Sequence, residues 1–240
     1  MPRFFIDYVP EEIAVITGDD ARHISRSLRM QPGENLILCD SIGTDYNARI
    51  ERISENSVEV RILEFCQSVA EPSVKVTVYQ GLPKAEKMDS IVQKAVETGA
   101  VKIVPVMTSR CVSRPDAKAA AKKTARWQKI ALEAAKQSGR GIIPQVGPLT
   151  GFREAVGQAA QDGEIILFFE GGGKSIAELV TRETRELAVF IGPEGGFEQA
   201  EVDFAEQNGA KIGTLGARIL RTETAPIAAL AAIMLASGNM

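Results

Sequence analysis

The sequence predicts an α/β protein in two parts: a small β-rich N-terminal domain over residues 1–70 and a larger α/β domain over residues 74–240. Three observations carry this. From residue 74 onward, short apolar runs alternate with stretches of helical periodicity, as in a mostly parallel sheet with helices on its faces. Before residue 70, short runs of alternating polarity are separated by turn residues, the pattern of a small barrel. Two glycine-bearing turns follow apolar runs, at Gly192-Pro193-Glu194-Gly195-Gly196 and at Gly216. Such turns fall at the carboxyl ends of strands, where open parallel sheets bind ligands.

In the N-terminal part, Phe4-Phe5-Ile6 reads as a strand. Thr17-Gly18-Asp19-Asp20 opens a helix over 21–30, with Ile24 and Leu28 on one face. Pro32-Gly33 is a turn and residues 35–40 a strand. Residues 46–53 and 58–63 alternate around Ser54-Glu55-Asn56-Ser57, a hairpin signal. Residues 66–73, with Pro72, read as the linker.

The larger part begins with a strand over 74–79 and a helix over 85–98 carrying an apolar stripe of Ile91, Val92 and Ala95. A buried-type strand over 101–106 follows. A long helix over 117–138 presents Trp127, Ile130, Ala131 and Ala134 at helical spacing, which marks core packing. Beyond Pro144 come a helix over 152–160, a strand over 164–169 and a short helix capped by Ser175. The strands over 187–191 and 211–215 then flank a helix opening near Glu198. The last helix starts at Thr224, with Pro226 in its first turn, where the missing N–H costs nothing. Its apolar 227–235 stretch is either a core helix or a dimer surface.

Composition narrows the class. Of 240 residues, 45% are hydrophobic, as in ordinary globular proteins. No apolar run is long enough to span a bilayer, and the opening Met1-Pro2-Arg3 does not read as a signal peptide. Three widely spaced cysteines, Cys39, Cys66 and Cys111, form neither a disulfide framework nor a zinc site. A cytoplasmic location and no metal are therefore expected. His23 is the only histidine, which makes Ser–His or multi-His metal chemistry a poor fit; it reads more simply as a helix residue. The formal net charge of −3 hides a basic stretch from Lys84 to Arg140. That stretch is either a polyanion-binding surface or a solvated helix face.

The turns exclude the common nucleotide loops. No G-x-G-x-x-G follows a strand. Gly171-Gly172-Gly173-Lys174-Ser175 ends like a P-loop, but that motif's first glycine falls on Phe168. Glu194 would repel a polyphosphate, so a neutral or cationic ligand fits better.

The pairing of Ile-Gly-Pro-Glu-Gly-Gly-Phe (191–197) with Leu-Gly-Ala-Arg-Ile-Leu-Arg-Thr-Glu-Thr-Ala (215–225) resembles the RsmE family, the 16S ribosomal RNA (uracil-N3)-methyltransferases of the SPOUT superfamily. Arg3-Phe4-Phe5, the 26–30 segment, Lys84 to Glu97, and Arg126-Trp127 through Arg140 resemble further signatures, so the likeness runs along nearly the whole chain. Thr98 departs from the usual leucine at a packing position.

The resemblance implies a PUA-like RNA-binding barrel followed by a SPOUT-type trefoil-knot domain that binds S-adenosyl-L-methionine and forms a homodimer. It implies three cofactor loops: Leu167, Phe168 and Gly171; Ile191, Gly192, Pro193, Glu194, Gly195 and Gly196; and Leu215, Gly216, Ile219, Leu220, Arg221, Thr224 and Ala225. Backbone groups of Leu215, Ile219 and Leu220 would bond adenine between their side chains. The substrate implied is 16S rRNA, in the small ribosomal subunit. Arg3, Arg22, Arg29, Lys84, Lys87 and Arg140 are the RNA-contact candidates, because guanidinium and ammonium groups pair with phosphate.

A uridine N3 carries a proton and must lose it to attack a methyl group. A cation near the flanking carbonyl oxygens would stabilise the resulting charge. Arg221, then Arg218, are the candidates for that cation. Glu223 is either the base or the partner that orients Arg221. Two rival readings remain at this point: a non-catalytic RNA-binding protein with a degenerate methyltransferase domain, and a SPOUT enzyme acting on a ribose 2′-hydroxyl.

Overall fold

The computed structural model describes residues 1–240, which fall into two compact units. One comprises Met1–Glu71 with Ala135–Ile143; the other comprises Pro72–Ala134 and Pro144–Met240.

The first unit contains β1 (Arg3–Phe5), β2 (Ile13–Thr17), β3 (Asn35–Cys39), β4 (Thr44–Ile53) and β5 (Ser57–Gln67), in the order β1-β3-β4-β5-β2. β1 runs parallel to β3, and the other neighbours are antiparallel. Alternation along β3, β4 and β5 sends Leu36, Leu38, Ala48, Ile50, Val58 and Val60 into one core with Phe4 and Ile24. β2 escapes the sequence reading because Ile13 and Val15 face outward while Ala14 and Ile16 face inward. Apolar residues on both faces erase the alternation. β5 continues through Cys66 and Gln67, so the expected linker begins as strand.

The expected helix over 21–30 is shorter. α1 (Gly18–Arg22) runs into a π-helical turn over His23–Ser27, closed by the Leu28 N–H donating to the His23 carbonyl at 2.9 Å. The wider turn stops the helix before Leu28 reaches the core, and Leu28 stays exposed.

The second unit holds β6 (Lys75–Gly81), β7 (Ala100–Met107), β8 (Gln145–Val146), β9 (Thr150–Gly151), β10 (Glu164–Phe168), β11 (Glu186–Ile191) and β12 (Lys211–Gly213). Their order is β12-β10-β11-β6-β7-β8, with β9 also on β7. Every pairing is parallel, so all carboxyl ends lie at one edge. The helices are α2 (Lys87–Glu97), α3 (Ala117–Ser138, whose residues from Ala135 belong to the first unit), α4 (Phe152–Asp162), α5 (Ile176–Leu179), α6 (Gln199–Gln207) and α7 (Ala225–Ser237).

α4 and α6 bury Phe152, Val156, Val202 and Ala205 with Tyr79, Leu167 and Phe190 of the sheet. Tyr79 and Phe190 stack with ring centroids 4.5 Å apart. α2 and α7 pack on each other, α2 also on β7 and α7 also on β6. Ser175 and Glu178 form the capping box of α5, and Pro226 lies in the first turn of α7.

Candidate active site

β10, β11 and β12 end side by side at Phe168, Ile191 and Gly213. The loops that leave them line one cavity of about 690 Å³. The first loop contributes Phe168, Phe169, Glu170, Gly171 and Gly172. The second contributes Ile191, Gly192, Pro193, Glu194, Gly196 and Phe197. The third contributes residues 214–222 and Ala225. Three segments distant in sequence become one site because the strands are parallel and adjacent.

The third loop has the properties of a ligand wall. The N–H groups of Leu215, Ile219 and Leu220 find no acceptor in the chain. Ile219 is 85% exposed, an apolar side chain left open. Gly216 has φ +95°, a conformation that L side chains rarely adopt.

Two devices tie the second and third loops together. Gln80, buried in β6, donates from Nε2 to the Gly81 carbonyl at 3.0 Å and to Thr222 Oγ1 at 3.1 Å. The Thr222 hydroxyl donates in turn to the Gly192 carbonyl at 2.9 Å. Gly81 makes room for the turn, since a Cβ there would lie 2.5 Å from Pro193 Cδ.

The second device is ionic. Lys87 Nζ, at the start of α2, is 3.1 Å from Glu194 Oε1 and 3.1 Å from Glu223 Oε2. Glu194 also accepts the Lys84 N–H at 3.2 Å. The Glu223 carboxyl is held below its ordinary range, first by its own backbone N–H and then by Lys87. Burial pushes the Glu194 carboxyl up, but its backbone N–H, Lys87 and Lys84 outweigh that and hold it low. Bonding to Glu223 and then Glu194 raises the Lys87 ammonium.

Four sequence candidates stand apart from the cavity. Leu167 is fully buried in β10 and packs in the core. Gly195 turns outward: its carbonyl accepts Arg110 Nη1 at 2.7 Å, and an added Cβ would meet Arg110 at 3.1 Å. Thr224 is the N-cap of α7. Of its two expected roles, base or partner of Arg221, Glu223 takes neither directly: it pairs with Lys87, Arg221 acts on it only through charge, and its lowered pKa makes it a weak base. Arg218 and Arg221 both line the cavity and are exposed; neither forms an ion pair, though the Glu223 carboxylate and Arg221 attract each other through their charges.

A family model described as an RNA methyltransferase domain matches residues 70–234, and one described as an RNA methyltransferase PUA domain matches residues 16–63. Ribosomal RNA small subunit methyltransferase E of Bacillus subtilis is 36% identical, over 97% of this chain and 96% of its own. The protein of that name from Mycobacterium bovis is 30% identical, over 96% of this chain and 90% of its own. The chain belongs to the ribosomal RNA small subunit methyltransferase E family. A family structure from Neisseria gonorrhoeae, crystallised with S-adenosyl methionine, superposes with a TM-score of 0.87 at 34% identity. It covers 98% of this chain and 97% of its own.

For this family member the RNA-contact candidates need revision. Arg3 is half-buried against Asp45, with contacts of 2.6 and 2.9 Å, and reaches Cys39 Sγ at 2.7 Å. Burial pushes that thiol up to about 12. Arg140 is 2% exposed and clasps Glu71 through Nε at 3.0 Å and Nη2 at 2.7 Å. Both guanidinium groups are committed inside the first unit and are withheld from phosphate. Lys87 is committed to the two carboxylates at the cavity. Arg22 is exposed but paired with Asp19. Arg29 and Lys84 are exposed with side chains in no ion pair. The sequence reading missed Gln80, Thr222 as an anchor, and the clamp role of Lys87. A lone glutamine closing an apolar strand was the one available signal.

Proposed function

We propose that this chain transfers the methyl group of S-adenosylmethionine to N3 of a uridine in 16S rRNA of the small ribosomal subunit, acting as a cytoplasmic homodimer. The observation that carries the proposal is the third loop, whose unpaired N–H groups and open apolar side chains face a cavity closed by two other strand-end loops. An adenine needs a flat apolar slot and backbone donors, and Leu215, Ile219 and Leu220 offer both. Glu170 and Glu194, both on the cavity lining, suit a ligand with cationic groups better than a polyphosphate.

The bound cofactor supplies an electrophilic methyl group on a positively charged sulfur. The chain's own residues do the rest. The Gln80–Thr222–Gly192 chain and the Lys87 clamp hold the second and third loops at fixed spacing. Arg221, with Arg218 beside it, places positive charge where the uracil carbonyl oxygens would carry the negative charge of a deprotonated N3. The base must leave its pair to reach the site. The first unit, which carries the PUA-domain match, would hold the surrounding RNA, and the knotted path expected of SPOUT domains would build the third wall.

Calorimetry should show binding of S-adenosylmethionine and far weaker binding of ATP. Nucleoside mass spectrometry of rRNA incubated with protein and cofactor should then show methyl on uracil N3. Methyl on a ribose oxygen would replace this reading with 2′-hydroxyl chemistry. RNA binding without cofactor binding would replace it with a non-catalytic RNA-binding role.

A further inference from the structure

Most bases in the stretch from Lys84 to Arg140 are already engaged. Arg126 pairs with Glu86 and Asp89, Lys94 with Glu97, and Lys87 with Glu194 and Glu223. Arg110 and Arg114 donate to the carbonyls of Gly195 and Ser109. Lys136 and Arg140 are held by Asp20 and Glu71. Off α3, Lys84 is exposed and unpaired and Lys102 is half-buried, and on α3 Lys123 is half-buried; on the outer side of that helix Lys118, Lys122 and Lys129 remain, all exposed and none paired with a carboxylate. At 3.6 residues per turn these three fall within about 40° of one line along α3, opposite the buried Trp127, Ala131 and Ala134. From Lys118 to Lys129 the stripe is about 16 Å long, at 1.5 Å per residue.

A row of ammonium groups on an acidic protein complements a polyanion, and lysine contributes point charge without the planar fork that reads base edges. The stripe also has a fixed relation to the cavity. Trp127 Nε1, on the opposite face of α3, donates to Asp89 Oδ1 at 3.0 Å, and Arg126 pairs with the same carboxylate. Asp89 lies in α2 two residues after Lys87, whose ammonium joins the two cavity loops. An RNA strand lying on α3 is therefore held at a set distance from the reacting centre.

We infer that Lys118, Lys122 and Lys129 form a phosphate-backbone track that holds the RNA substrate in register with the cofactor cavity. This rests on the proposed action on rRNA. The track positions the strand and contributes no sequence reading.

The test is the salt dependence of binding to a 16S rRNA transcript, for the parent chain and for Lys118→Gln/Lys122→Gln/Lys129→Gln. Each phosphate contact contributes about 0.7 to 0.9 to the slope of log affinity against log salt. Loss of three should flatten the slope by about 2 and weaken binding on the order of a hundredfold near 0.1 M salt. The RNA KM should rise with kcat unchanged, and cofactor affinity by calorimetry should match the parent. The corresponding triple Lys→Arg variant should keep the parent slope. An unchanged slope in the Gln variant, or a parent slope near zero, overturns the track. RNA binding is read without turnover, so a parent that binds RNA with a steep slope but transfers no methyl would overturn the catalytic reading and leave the track standing.

Discussion

Among single residues, the two arginines of the third loop carry the sharpest expectation. Arg221 and Arg218 are exposed on the cavity wall and form no ion pair, the Glu223 carboxylate that attracts Arg221 being bound to Lys87, so their charge is available to a substrate. Arg221→Ala should lower the methylation rate on the order of a hundredfold, the scale for removing one charge-stabilising donor. Cofactor affinity and melting temperature should stay near those of the parent. Near-normal single-turnover rates in both Arg221→Ala and Arg218→Ala would remove the electrostatic assignment. Glu223→Gln should keep most of the chemical rate, because that carboxylate belongs to Lys87; a loss recovered at high pH would restore it as the base. The residue scale is also where the sequence misled. Arg3 and Arg140 carry the right group for phosphate. Their partners Asp45 and Glu71 lie 42 and 69 residues away in the chain, and no local pattern announces such a pairing. Breaking a buried pair of this kind typically costs about 3–5 kcal/mol, so these arginines hold the first unit together.

For the secondary-structure elements, the sequence was legible wherever one face differed from the other. α3 is legible along its whole length because Trp127, Ala131 and Ala134 keep one side apolar. The strands of the second unit were legible as apolar runs, since a parallel sheet is covered on both faces. β2 was hidden for the reason given by Ile13 and Val15, and the π turn at His23 has no sequence signature. The three cavity loops were legible through their glycines and their position after strands. The clamp that sets their spacing was not, because α2 supplies Lys87 from a different stretch of chain. Lys87→Met should leave Glu194 and Glu223 without their shared cation and weaken S-adenosylmethionine binding several-fold to tenfold by calorimetry. Lys87→Arg should keep most of the affinity, and Glu223→Gln added to Lys87→Met should recover part of it. The carboxyls are held low and the ammonium high. The clamp should therefore stay charged from below the usual carboxylate range to above the usual lysine range. It should fail as acid protonates the carboxylates through their lowered pKa values, and again as base removes the Lys87 proton through its raised one. Cofactor affinity that was flat in Lys87→Met, with parent-like loop exchange protection, would mean that Gln80 and Thr222 alone set the loops.

The whole molecule raises the matter of what covers α7. This helix is apolar on nearly every side, APIAALAAIMLAS, which calls for cover on more than one face. One face is satisfied within the second unit, where Ala229, Leu230, Ile233 and Met234 are buried. The rest is less covered: Ile227, Ala228, Ala231 and Ala232 are half-buried, and Leu235 is 67% exposed. The core-helix reading holds for the buried face, and we propose the dimer-surface reading for the open one. A second copy of this chain is the partner that the family resemblance implies. Two such faces meeting about a two-fold axis would each supply the other's missing apolar contacts. Sedimentation at micromolar concentration should give a particle of twice the 25.8 kDa chain mass. Leu235→Glu should shift it toward the monomer, because a carboxylate facing its own symmetry mate is both desolvated and repelled. Since α7 follows directly from the loop that carries Arg218 and Arg221, the monomeric variant should also bind cofactor more weakly. A parent chain that sediments as a monomer, or a Leu235→Glu variant that remains dimeric with full activity, would place the interface elsewhere or remove it.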